Sequence, residues 1–479
     1  MTRARWSVIL LALSTLVAVP AAAAAPTWEN AQRVLLPAGA TGLSQGYLPS
    51  LSCPDATNCA TTGIYSDTRG GAHALVASEV AGHWERAREV NAPPDGASTP
   101  SVTPYAISCA SAGDCAIVGS YLNSSGSAVA FSATEVNRTW HDAQAITLPS
   151  NAATTGQNAQ LRAVVCESPG TCSAVGTYLE ASTPLSHTVA MTVDEVHGVW
   201  RGAQSLALPT GLNVDPQVTL SNLACASPGN CAASGSYLDA NNVTRGLLVN
   251  EVASHWSATT LLEPTNASPY ALAQVSSLAC ARPGFCTAIG TYETADGLLE
   301  GFTVDERGAT WSRAMMMRLP VAASVNPHVF FYGYGGISCP SVGNCATGGQ
   351  YRDATGTYQG FVINEVSGVW AAATRVVLPA GASAGHNGGV VALACASAGT
   401  CRAGAAYLDA HGNYQALTLS EVGNVWGAGQ RVSLPGGATS VGVDGGVYAM
   451  TCTAQNHCTG VGSYLASPTT YQGFTISGH

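Results

Sequence analysis

Sixteen cysteines fall into eight pairs of a single spacing, which limits the chemistry open to them. The first members are Cys53, Cys109, Cys166, Cys225, Cys280, Cys339, Cys395 and Cys452. The second members follow six residues later, at Cys59, Cys115, Cys172, Cys231, Cys286, Cys345, Cys401 and Cys458. Zinc would need closer ligand spacing and histidines at fixed offsets. The eleven histidines keep no such offset. The reading is therefore eight local disulfides, formed in an oxidising compartment, with no metal and no other cofactor. Each closes a very short loop, worth about 2 kcal/mol in the chain-entropy model.

Seven glutamates also keep a fixed place: Glu79, Glu135, Glu195, Glu251, Glu306, Glu365 and Glu421. Each stands five residues before a tryptophan, from Trp84 to Trp426. A catalytic group is needed once, whereas a packing group is needed in every unit. The glutamates are thus expected to accept hydrogen bonds from turn amides, and the tryptophans to fill space between units. A tyrosine stands twelve positions after every first cysteine, from Tyr65 to Tyr464. Two residues beyond it, Asp67, Asn123, Glu180, Asp239, Asp353 and Asp409 are suited to capping a turn through their own backbone. No carboxylate cluster has calcium-loop spacing. The segments just before the first cysteines hold one arginine, Arg162, and no carboxylate. Paired acids placed for general acid–base work are missing, as are a nucleophile elbow, a zinc-protease helix and a phosphate loop.

One stretch is singular. Residues Asn326 to Gly336 read NPHVFFYGYGG and hold two of the seven phenylalanines. Aromatics on an exposed face can stack a sugar ring or dock a peptide. His328, Phe330, Phe331, Tyr332 and Tyr334 are the candidate ligand-binding residues, with Phe330 or Phe331 as the floor of a shallow site and Tyr332 and Tyr334 as its contacts. Three consecutive methionines, Met315 to Met317, put at least one on each face of an outer strand, where filling a core gap is the expected role.

These groups must be positioned by a repeated element. Steps between first cysteines run from 55 to 59 residues, a period that marks a repeat architecture. Each repeat reads as four short strands; in the first they are about Tyr47–Cys53, Ala60–Tyr65, Ala72–Val80 and His83–Val90. The last repeat stops before its tryptophan, and the missing piece, PTWENAQRVLLP with Trp28, lies near the N-terminus. A ring explains this division: the N-terminal strand completes the last blade. The expected fold is an all-β, eight-bladed propeller of four-stranded blades, one disulfide per blade, spanning residues 26–479 as one domain. Residues 1–25 read as a cleaved signal peptide: Arg3 and Arg5, then an apolar run, then small residues. That run is shorter than the ~20 residues of a membrane span. The charge of −10, with 18 basic residues, argues against nucleic-acid and electrostatic membrane binding.

The turn sequences SEVAGHW, TEVNRTW, DEVHGVW, NEVASHW, DERGATW, NEVSGVW and SEVGNVW resemble the Asp-box hairpin of sialidase-like secreted propellers. VDERGATW at Val304–Trp311 is the nearest copy; the acid is glutamate, and the glycine is usually displaced. The whole repeat is also similar to those of exported actinobacterial proteins of unassigned function. The resemblance implies a fold and little chemistry. The expected product is a monomer, secreted or loosely wall-associated, acting as a non-catalytic binding module for a carbohydrate or a protein. A carbohydrate-active enzyme, hydrolase or lyase, and a structural envelope component are the alternatives. The enzyme would need several arginines, a tyrosine and an acid gathered near the axis.

Overall fold

The computed structural model describes residues 27–478 except 45–47, 183–185, 271, 333–335, 384, 386–387, 437–444, 455–456 and 468. The described residues form antiparallel blades, with each inner strand packed against the next. Ser50–Asp55 of blade 1 meets Gly446–Ala454 of blade 8, which closes the ring. Closure is also made by backbone hydrogen bonds: Gln32 and Arg33 pair with Thr475 and Phe474, and Trp28 bridges to Gly478. The N-terminal strand thus completes the last blade. A further strand, Ala40–Leu43, pairs with both blade 8 and blade 1 and fuses their sheets.

Blade 2 shows the common plan: Val102–Ser111, Asp114–Leu122 and Ala128–Val136, then an outer strand in two pieces, Thr139–Trp140 and Gln144–Ala145. The outer strand was expected to be continuous; it is continuous only in blade 4, as His255–Thr260. The cause is one residue. Trp140 to Pro149 is nine positions, and the other repeats match it, but Trp256 to Pro264 is eight. The extra residue must leave the ladder, and the strand breaks around it.

Each disulfide joins directly opposed residues of the first two strands, with Cα atoms 3.9–4.1 Å apart. The turn beside it reaches the Glu–Trp hairpin of the same blade: the Arg138 amide donates to the Gly113 carbonyl at 2.9 Å, and the Gly198 amide to Gly170. Both central residues of every Glu–Trp turn have positive φ, from Ala81 and Gly82 to Gly423 and Asn424. That is the two-residue turn whose twist suits a hairpin. It explains the displaced glycine, because either central position can take it.

The inner strands carry a second regularity. In blades 2, 3, 4, 5, 7 and 8 they slip by one residue against the second strand, at Tyr105, Arg162, Ser221, Ser276, Val391 and Tyr448. The slip presses backbone on backbone. A Cβ on Gly119 would lie 2.1 Å from the Thr103 carbonyl, and one on Gly176 1.9 Å from that of Gln160. This is the physical reason for the glycine two places before the recurring tyrosine in seven of the eight repeats; blade 7, which also slips, accommodates Ala405 there.

The apolar cores lie between blades. One joins Val76 and Val90 of blade 1 to Ile107, Ile117 and Phe131 of blade 2. The recurring tyrosines are buried there, and Tyr121 and Tyr178 donate to Asp95 and Asn151 in the connections between blades. Tryptophans reach back to the preceding blade: Trp311 Nε1 donates to Asn250 and Trp426 Nε1 to Asn364, both at 2.8 Å. Near the axis, serine before a first cysteine stitches neighbours together. Ser52, Ser108 and Ser338 accept the amides of Cys109, Cys166 and Cys395.

Candidate functional site

Inner-to-second and third-to-outer turns share one face of the ring, the disulfide face. Second-to-third turns and blade connections share the other. On this second face the acids cap turns as their type suggests. Asp353 Oδ1 accepts the amides of Thr355 and Thr357, and Asp409 and Asp239 repeat the pattern. Burial would raise the Asp353 carboxyl, but hydrogen bonds from Thr355, Thr357 and Gln359 outweigh it and hold it below the ordinary value. Two of these acids also share a basic partner with a second carboxylate: Asp239 meets Arg245 together with Glu263, and Asp67 meets His73 together with Glu89.

The singular stretch lies on the same face, in blade 6. Phe330 exchanges both backbone hydrogen bonds with Gln350, as an inner-strand residue should. Ile337 then resumes pairing opposite Thr347. Six residues separate these two anchors, against three between the matching Thr103 and Ile107 of blade 2. Blade 6 therefore carries three extra residues at the place where the other inner strands slip by one.

The five predicted residues part company there. His328 is exposed with φ 46°, the conformation that Asn158 and Gln217 adopt in blades 3 and 4, so it holds a recurring turn position. Phe330 is 49% exposed. Phe331 is buried in the core, 5.9 Å edge-on from Phe361, and is the floor. Tyr332 is half-buried; its hydroxyl donates to Gln350 Oε1 at 2.6 Å, and its ring meets Phe330 edge-on at 5.1 Å. Tyr334 lies outside the described residues. Tyr332 covers Gly389 of blade 7, where a Cβ would come within 2.8 Å of the ring. Burial, then the neighbouring Tyr414 and Tyr358, push its hydroxyl up to about 12. Tyr414 is 39% exposed, and the Arg352 guanidinium sits 5.7 Å from the Tyr358 ring. The sequence reading missed Tyr358 and Tyr414, which open the third strands of blades 6 and 7. Their signal was an aromatic at a strand start that other blades fill with Ala128 or Thr244.

Two further places gather titratable groups or open space. On the disulfide face burial pushes Glu79, Glu135, Glu251, Glu365 and Glu421 up to about 7. Only Glu306 meets the expectation of accepting turn amides in full, from Cys286 and Ala309. One oxygen of Glu79, Glu195, Glu251, Glu365 and Glu421 has no hydrogen-bond partner among the described residues. Their recurrence marks them as parts of the blade. Two glutamates approach cysteine pairs, Glu167 with Cys225 and Cys231 and Glu421 with Cys395 and Cys401, but those sulfurs are spent in disulfides and offer no thiolate to a metal. The other place is a cavity of ≈ 220 Å³ on the axis, lined by Tyr105, Arg162, Ser221 and Asn222 among others, with no carboxylate. Arg33, Arg375 and Arg431 lie on outer strands, away from it. Of the three methionines, Met317 is buried, and Met315 and Met316 are exposed.

No protein-family model and no curated protein matches the chain. Solved structures similar to it include an ulvan lyase bound to -[GlcA(1-4)Rha3S]-, at 9% identity over 91% of this chain and 94% of that one, TM-score 0.44. A fucose-specific lectin from Aleuria aurantia is 13% identical over 70% and 97%, TM-score 0.35. Trypanosoma rangeli sialidase is 9% identical over 95% of this chain and 60% of that one, TM-score 0.39. Values of this size carry no activity and no residue role across. The chain itself forms an eight-bladed, disulfide-stapled β-propeller. Among the described residues no helix is long and apolar enough to cross a membrane.

Proposed function

We propose that the chain is an exported, non-catalytic propeller that binds a carbohydrate or a protein at the cell surface, with a carbohydrate favoured. The observation that carries this reading is the aromatic group shared by blades 6 and 7: Phe330 and Tyr414 open to solvent, Tyr332 fixed behind them, Phe331 beneath. Rings of this kind offer flat apolar area at low entropic cost, with hydroxyls at their edges for a polar partner. The eight disulfides support export to an oxidising compartment. Against the enzyme reading stand the single axial arginine and the absence of a carboxylate among the residues lining that cavity.

The test is a glycan and polysaccharide array probed with the oxidised protein from residue 26 onward, each binder then assayed for new reducing ends and for unsaturated products. Binding without turnover is expected. Turnover of any bound glycan overturns the reading in favour of the enzyme, and an array without binders removes the carbohydrate.

A further inference from the structure

The axial cavity contains a charge that no described residue neutralises. A bulge takes a residue out of the in–out alternation and re-aims its side chain. In blades 2, 3 and 4 the slipped residues are Tyr105, Arg162 and Ser221, and all three line the cavity. Arg162 is half-buried, and its guanidinium carbon lies 4.0 Å from the centre of the Tyr105 ring. Stacking occupies one face of the guanidinium and leaves its N–H edges available. Those edges make no hydrogen bond or ion pair with any described residue. None of the sixteen residues lining the cavity is acidic. Beside Arg162 stand an exposed hydroxyl, Ser221, and the amide of Asn222, which donates to Ser234 at 3.3 Å and keeps its carbonyl oxygen as an acceptor. Arg245 in blade 4 shows what this chain does with an arginine that serves structure: it is clamped by Asp239 at 2.9 Å and Glu263 at 3.0 Å.

We propose that the axial cavity is a binding site for a small monocarboxylate, its two oxygens accepting from the Arg162 edge and the Ser221 hydroxyl, while the Asn222 carbonyl, itself an acceptor, takes a hydroxyl of the bound acid. One guanidinium balances one negative charge, and its fork matches the two oxygens of a carboxylate in a plane. A tetrahedral dianion would bring a second charge with no partner. The volume of ≈ 220 Å³ is below the roughly 300 Å³ at which drug-sized pockets begin, so the site takes one small acid or one acidic sugar unit. The cavity is separate from the aromatic group of blades 6 and 7, so this site stands or falls independently of the function proposed above.

Calorimetric titration of the oxidised protein with galacturonate, galactose and inorganic phosphate tests the site. Galacturonate should bind, with affinity falling as salt rises, and galactose should not. Arg162→Gln should lose about 10- to 100-fold in galacturonate affinity, the range of charge-assisted hydrogen bonds. Its melting temperature should fall only slightly, because among the described residues the side chain's one recorded contact is the stack on Tyr105. Val321→Ala, at an exposed residue outside the cavity lining, should leave galacturonate affinity unchanged. The assignment is overturned if galacturonate fails to bind, if galactose or phosphate binds as tightly, or if Arg162→Gln keeps full affinity.

Discussion

The ring of buried glutamates makes stability depend on pH in a direction opposite to that of ordinary surface carboxylates. Glu79 is 7% exposed, and burial, with Asp55 and Glu29 adding repulsion, moves its carboxyl from 4.5 to about 7. A folded value above the unfolded one means that the native state keeps a proton the unfolded chain has lost. The associated stability is complete below pH 4.5 and disappears as pH rises through 7. At roughly 1.4 kcal/mol per pH unit the move is worth about 3 kcal/mol. Glu79 borders a cavity of ≈ 160 Å³ at the seam of blades 8 and 1, and solvent there screens the effect to about 1–2 kcal/mol. Urea unfolding at pH 5, 6, 7 and 8 measures it. The wild type should be most stable near pH 5, and Glu79→Gln should flatten the decline between pH 5 and 7, with little further difference in slope from pH 7 to 8. A wild-type stability that rises from pH 5 to 8, or a variant with an unaltered slope, refutes the reasoning.

Other outcomes follow from the blade plan. The turn-capping carboxylates of Asp239, Asp353 and Asp409 are held below their ordinary value of 3.8, so the stability they add is complete above about pH 4 and is lost as pH falls through their lowered values; a chain equally stable at pH 2.5 and 5 contradicts this. Gly119→Ala should cost at least about 1–3 kcal/mol, as overpacking does, because its Cβ meets the Thr103 carbonyl. Gly70→Ala has open space and tests instead the strain of φ 84°. Replacing Cys395 and Cys401 together by alanine should cost about 2 kcal/mol and leave the ring folded, as read by urea midpoint and near-ultraviolet dichroism.

Much of the fold was legible because its landmarks recur. Cysteine spacing gave the staple, the Glu–Trp distance gave the hairpin, and Trp28 at the wrong end of the chain gave the closure. The broken outer strands were also written in the residues, as nine positions against eight after the tryptophan, but the consequence becomes visible only when the ladder register is known. The axial slip left just one trace, the glycine before the tyrosine. The slipped residues themselves vary from Tyr105 to Arg162 to Ser221 and share no pattern. The insertion in blade 6 was hidden because the 59-residue step that contains it also separates Cys166 from Cys225. Which aromatics share a face depended on strands far apart in sequence, and so Tyr414 joined Phe330 and Tyr332 only in three dimensions. Arg402, buried to 1% in blade 7 and donating to the Cys401 and Glu421 carbonyls, shows the same limit.

The most direct test of the binding account is the affinity of the double variant Phe330→Ala, Tyr414→Ala for the glycan that binds the wild type most tightly on the array. Both rings are substantially exposed, at 49% and 39%, so the fold and its melting temperature should survive. Affinity should fall by about 1–3 kcal/mol, the range of an ordinary to strong hot spot. An unchanged affinity in a folded double variant would contradict the placement of the site on blades 6 and 7.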